Sequence, residues 1–204
     1  MSLVKYNNNN SISAVTSAPN FPAGAMTLIS TTTASSSSTI SITSGIDSTY
    51  PIYLFKFINI HPSADSSDLG FQVDTGTNTN YNLSITSTAF QTGHAEDDSE
   101  NPLGYETSDD QGNGTGFQMI TQTNAGNAND ESSSGEMFLF NPSSTTFVKH
   151  FISRLNTTWS GNGTFEKYAA GYINNTAAVT RIQFKMDSGN IDSGLIKLYG
   201  IKDS

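Results

Sequence analysis

The sequence predicts an all-β fold: an antiparallel β-sandwich of jelly-roll type, with about ten strands and an extended N-terminal arm. Three observations point there. From Met26 onward, short runs rich in β-branched and aromatic residues recur between clusters of Gly, Asn, Ser and Asp. Charged residues are only 13% of the 204-residue chain, while Ser, Thr, Asn and Gly abound, the composition of turn-rich β-structure and not of Glu/Lys/Ala-rich helices. No segment holds a helical period. Residues 164–173 can be forced into one, but Gly163, Gly171 and the intervening aromatics favour a strand.

Taken in order, residues 1–25 carry the run Asn7 to Asn10, then Pro19, Pro22 and Gly24, without a sustained period. They read as an arm preceding one sandwich domain over 26–204. Strands are expected over 26–33 and 39–43, then over 52–60. In that third run Ile52, Leu54, Ile58 and Ile60 surround Lys56 on one face, and Tyr53, Phe55 and Phe57 occupy the other. A strand with two apolar faces sits in the middle of a layered structure or under a second subunit. Tyr53, Phe55 and Phe57 are accordingly the candidate self-association residues, on the condition that the opposite face fills the core. Strands follow over 69–74, 81–90, 116–123 and 135–141; in the last of these Phe138 and Phe140 oppose Met137 and Leu139, again apolar on both sides. Further strands are expected over 146–155, 164–173, 179–186 and 194–201. Ile182, Phe184 and Met186 alternate with Arg181, Gln183 and Lys185, the half-buried pattern of a sandwich strand. The short linker Asp187-Ser-Gly-Asn-Ile-Asp-Ser-Gly194 predicts that the last two strands pair as a hairpin.

Several function classes are disfavoured. The chain has no cysteine, so it has no disulfide framework, zinc-thiolate site or cysteine nucleophile. A net charge of −9 opposes binding to a phosphate backbone, so nucleic acid is not an expected partner. No run approaches the ~18 apolar residues of a membrane span, and the N-terminus lacks the apolar stretch of a signal peptide, so a soluble protein without membrane insertion is expected. No enzyme is expected either. Gly-x-Ser-x-Gly is absent, Gly112-Asn-Gly-Thr-Gly116 has no following Lys to meet a phosphate, and His61, His94 and His150 are not at metal-ligand spacing.

Two segments remain as candidate sites. Between Gln91 and Gly116, seven acids crowd together: Glu96, Asp97, Asp98, Glu100, Glu106, Asp109 and Asp110. Asp109-Asp-Gln-Gly-Asn-Gly114 offers oxygens and tight turns to a hard cation, making Asp109, Asp110 and Asn113 a candidate calcium site, although the spacing is not that of the twelve-residue calcium loop. The alternative is a solvated acidic loop. Trp159 lies in the polar stretch Asn156-Thr-Thr-Trp-Ser-Gly-Asn-Gly163, where a partly exposed indole is a candidate glycan contact or a cap on the sandwich edge.

Leu139-Phe-Asn-Pro-Ser-Ser-Thr-Thr-Phe-Val-Lys-His-Phe151, Phe184-Lys-Met-Asp-Ser-Gly-Asn-Ile-Asp-Ser-Gly194 and the closing Ile196-Lys-Leu-Tyr-Gly-Ile201 resemble the virion-associated β-proteins of tailed phages of marine bacteria. Ser2-Leu-Val-Lys-Tyr-Asn and Ile52-Tyr-Leu-Phe-Lys-Phe-Ile-Asn-Ile-His-Pro62 are similar too. The resemblance implies a virion structural protein with a jelly-roll-like fold, assembled in the host cytoplasm. It would be a capsid decoration, cement or head-fibre module working as a homo-oligomer, a homotrimer by analogy, with major capsid or tail protein as partner. The alternative within the same setting is a tail-fibre adhesin that recognises host glycan. The motifs are structural and carry no catalytic signature.

Overall fold

The computed structural model of the chain describes residues 25–121 and 124–202, and every regular element among them is a strand. The arm expected over 1–25 lies, apart from Ala25, outside the described residues. In chain order the strands are β1 (Met26–Ser37), β2 (Ile40–Ile42), β3 (Ile52–Pro62), β4 (Leu69–Thr75), β5 (Ile85–Ala95), β6 (Leu103–Tyr105) and β7 (Gly112–Gly114). They continue with β8 (Gln118–Met119), β9 (Ser133–Phe140), β10 (Lys149–Trp159), β11 (Gly163–Ile173), β12 (Val179–Met186) and β13 (Ile191–Ile201). All pair antiparallel. A nine-stranded sheet runs β1-β13-β3-β9-β10-β11-β5-β6, with β7 also on β5, and a four-stranded sheet runs β2-β12-β4-β8.

One hydrophobic core joins the two sheets, consistent with a β-sandwich. Phe184 of the small sheet meets Phe55 and Phe57 of the large one edge to face, at 5.6 and 5.3 Å between ring centroids. Phe71 and Phe151 make the same kind of contact at 5.0 Å. Alternation explains which side chains enter. On β10, Phe151, Ser153, Leu155 and Thr157 are buried, and the residues between them, from His150 to Asn156, are exposed.

The structure corrects several local expectations. β12 and β13 do not form a hairpin: β12 pairs with β2 and β4, whereas β13 pairs with β1 and β3. Their linker crosses from one sheet to the other, tied down where the Asp187 carboxylate accepts hydrogen bonds from the Ser67 hydroxyl (2.8 Å) and the Asp68 N–H (2.9 Å). The strand expected over 116–123 contracts to β8, two residues long, and the acidic stretch after Gln91 contains the end of β5 together with β6 and β7.

Tyr53, Phe55 and Phe57 are 0–1% exposed and fill the core, so they are not a surface for a second subunit. The parity of β3 is set by Lys56, whose ammonium must reach a counter-charge or water and therefore takes its neighbours Ile52, Leu54 and Ile58 to the outer side. β3 is the third strand of the large sheet, so the same-side contacts it needs come from β12 beneath it.

Candidate functional site

The outer face of the nine-stranded sheet is built by the residues that the alternation leaves outside. Register places Met26, Ile201, Ile52 and Phe140 side by side in one row across β1, β13, β3 and β9. The next row runs Leu28, Tyr199, Leu54, Phe138, Ile152 and Ala170 across six strands. Neighbouring side chains shelter one another, so that Leu54 is buried, but Met26, Leu28 and Ile152 remain about half exposed, at 49%, 51% and 50%. A contiguous apolar patch of this kind on a sheet face marks an interaction surface more often than solvent alone.

The following row changes character. Thr31, Lys197, Lys56, Glu136, Arg154, Tyr168, Phe90 and Tyr105 are aligned across the sheet. Lys56 donates to Glu136 at 2.5 Å, and Arg154 Nε donates to Glu166 in the row beyond. The Arg154 guanidinium also stands over the Tyr168 ring at 5.5 Å, while Tyr168 stacks on Phe90 with centroids 4.7 Å apart. That guanidinium holds the Glu166 carboxyl below the ordinary carboxylate range, and Glu166 in turn raises Arg154. Between the ion pairs lies a shallow cleft of about 370 Å³ above Gly135, and a second of about 360 Å³ over Thr92 and His94. Asn156 and Glu166 line both. Gly135 is required there, because a Cβ would stand 2.3 Å from the Arg154 carbonyl oxygen and 2.6 Å from Leu155 Cα.

Comparison with family models, curated proteins and solved structures returns no match for this chain. The outer face therefore carries the functional reading on its own chemistry.

Each of the candidate calcium residues has a partner of its own. Asp109 is buried and ion-paired to Lys167. Asp110 accepts a hydrogen bond from the Tyr105 hydroxyl at 2.7 Å, which raises the Tyr105 phenol. Asn113 Oδ1 accepts from Asn174 Nδ2 at 3.0 Å. Among the described residues no group of three or more His, Asp or Glu side chains gathers as a cation cage.

Trp159 ends β10 and falls on the inner side with Leu155 and Thr157. It is half-buried at the end of the sandwich, edge to face with Phe165 at 5.4 Å and close against Gly161, whose Cβ would stand 2.7 Å from the indole. The ring is thus braced by its own hairpin, apart from the outer-face clefts.

Sequence reasoning missed two interior lysines. Lys167, fully buried, also donates to the Thr121 carbonyl at 2.8 Å, and Gln118 donates to the Asp109 carbonyl at 2.8 Å while accepting from the Ser87 hydroxyl at 2.6 Å. Lys149 is buried with its ammonium on the Asn175 carbonyl at 3.0 Å, and burial lowers its pKa. The signal was available in part: both lysines occupy positions in strands where the alternation calls for an apolar residue.

Proposed function

We propose that this chain is a structural module that assembles with copies of itself through the apolar rows on the outer face of its large sheet. The setting is the one its motifs imply, the capsid surface or a tail appendage of a phage particle. The single observation that carries the assembly is the row from Leu28 through Tyr199, Leu54, Phe138 and Ile152 to Ala170, which crosses six strands without a charge. An acidic chain of net −9 approaches its own copies most favourably where both present uncharged apolar surface.

The strand order supports a jelly-roll reading of the sandwich. The chain passes from the small sheet at β2 to the large at β3, back to the small at β4 and again to the large at β5. It returns to the small sheet at β8 and β12, each time followed by a large-sheet strand. Such repeated crossing between two sheets is what a jelly roll requires and supports that reading, with β10, β11 and β5 extending the large sheet beyond β9.

The test is the mass of the full chain in solution at micromolar concentration, for the wild type and for Ile152→Lys and Phe138→Lys. An oligomer that either lysine dissociates, with the circular dichroism of the fold unchanged, supports the assembly. A wild-type monomer overturns it.

A second reading follows from the polar clefts beside the aromatic group Tyr168, Phe90 and Tyr105. Amide, carboxylate and guanidinium groups next to exposed rings suit a host glycan, which moves the glycan expectation from Trp159 to Asn156, Glu166 and Arg154. Binding on a broad glycan array that is lost in Asn156→Ala and kept in Trp159→Ala supports that reading; no binding across the array removes it.

A further inference from the structure

Among the described strands, three of the four sheet edges are short. β2 has three residues, β8 two, and the edge formed by β6 and β7 three in each. The fourth edge is β1, twelve residues long, which pairs with β13 on one side and with no described strand on the other. A long open edge presents a ladder of free N–H and C=O groups, and proteins that must avoid pairing there place Lys, Pro or other charges on it. β1 reads Met-Thr-Leu-Ile-Ser-Thr-Thr-Thr-Ala-Ser-Ser-Ser and has none; its irregularities are a register shift between Leu28 and Ser30 and a left-handed Ser36 near its end, where the Ser35 N–H donates to the Ser37 hydroxyl. It belongs to the longest uncharged tract of the chain, since no Asp, Glu, Lys, Arg or His occurs from Tyr6 to Ile46.

We infer that β1 is a pairing edge for β1 of a second copy, antiparallel about a twofold axis, so that two large sheets continue into one. The inference rests on self-association being the role of this chain, and it names the first contact. The occupant follows from charge and symmetry. Two molecules of net −9 repel along any acidic border, and this tract is where that repulsion is least. A strand paired with its own copy antiparallel is isologous and self-complementary. Here it sets Thr and Ser opposite Thr and Ser, whose hydroxyls bond across strands. A twofold axis perpendicular to the joined sheet also keeps both outer faces on one side, with the Met26 end of each β1 beside the Ser37 end of the other.

Hydrogen exchange on the full chain, read residue by residue together with solution mass, tests this without knowledge of the register. In an open edge only alternate β1 amides, those bonded to β13, are protected. In a paired edge both sets are, the outward set exchanging about tenfold or more slowly than in the variant Thr31→Lys/Thr33→Lys, which places two charges on the exposed side of the strand. The expected result is protection of both sets, an even number of copies, and loss of both features in the double variant. An oligomer whose outward β1 amides exchange freely, or a trimeric mass, overturns the edge pairing and leaves assembly through the sheet face standing. Full protection of β1 in a monomer overturns it in favour of residues 1–24 lying on the edge of their own chain. Full protection in a dimer that Ile152→Lys does not disturb keeps the edge and removes the sheet-face assembly.

Discussion

Lys167 on β11 reaches through the interior to the carboxylate of Asp109, and both residues are closed to solvent, at 0% and 8% exposure. The contact anchors the stretch between β6 and β8 to the middle of the large sheet. Breaking a buried pair from one side strands the other charge, so Asp109→Ala is expected to lower stability by about 3–5 kcal/mol. Lys167→Met/Asp109→Leu, which removes both charges, is expected to recover much of that loss. Urea denaturation of Lys167→Met, of Asp109→Leu and of the double variant checks this, and additive losses would show that the two side chains are uncoupled.

Phe184 is the main aromatic link between the sheets through Phe55 and Phe57. Truncation to Ala opens a cavity lined by both rings and is expected to cost about 3–5 kcal/mol. Ile152→Ser on the outer face should change the stability of the isolated subunit by no more than about 0.5 kcal/mol. Comparable losses for the two, measured where the chain is monomeric, would contradict the assignment of inner and outer faces.

Gly135 pairs with Leu155 of β10 so closely that an added methyl group meets backbone first, with Leu155 Cγ just behind it. Gly135→Ala is expected to destabilise by about 1–3 kcal/mol through overpacking. Gly104→Ala, where nothing lies within 4 Å of the added carbon, serves as the control and should be close to neutral. Thermal unfolding of both variants reads the difference.

Burial lowers the pKa of Lys149, so between that folded-state value and the ordinary lysine value near 10.5 the unfolded chain binds more protons than the folded one. Stability carried by this group therefore rises with pH across that window and is lost as pH falls through the folded pKa. Lys149→Met is expected to flatten this part of the profile while leaving the slope near pH 4 unchanged. Denaturation midpoints of wild type and variant at intervals from pH 7 to pH 10.5 check the sign; parallel profiles would place the Lys149 ammonium in water.

At the acid end the slope has the same sign, because the folded-state pKa is again the lower one. Arg154 depresses the Glu166 carboxyl, so the stability that this pair provides is present above the ordinary carboxylate pKa and falls away as pH drops through the lowered one. The pair lies at the surface, and salt should weaken it. A Glu166→Gln variant is expected to lose little at neutral pH and to show a shallower acid limb in pH titrations of stability. An acid limb unchanged from wild type would mean that the pair contributes nothing measurable.

An antiparallel all-β chain, the course of most strands and the residues that share a face are all legible in the amino-acid sequence. Those facts follow from local alternation and from Gly, Asn and Pro punctuation, and β12 was legible to the residue. Alternation gives parity but not side: Tyr53, Phe55 and Phe57 were grouped correctly, yet only the small sheet packed beneath them decided that they face inward. Lys56 was the local clue. The 187–194 linker has a length that suits either a hairpin or a crossing, and the bonds of Asp187 to Ser67 and Asp68, more than a hundred residues away, selected the crossing. Asp109 reads as one acid among seven until Lys167 is brought to it. Tertiary structure decided these points because each depends on a partner distant in sequence, and burial makes that partner's charge or shape outweigh any local preference.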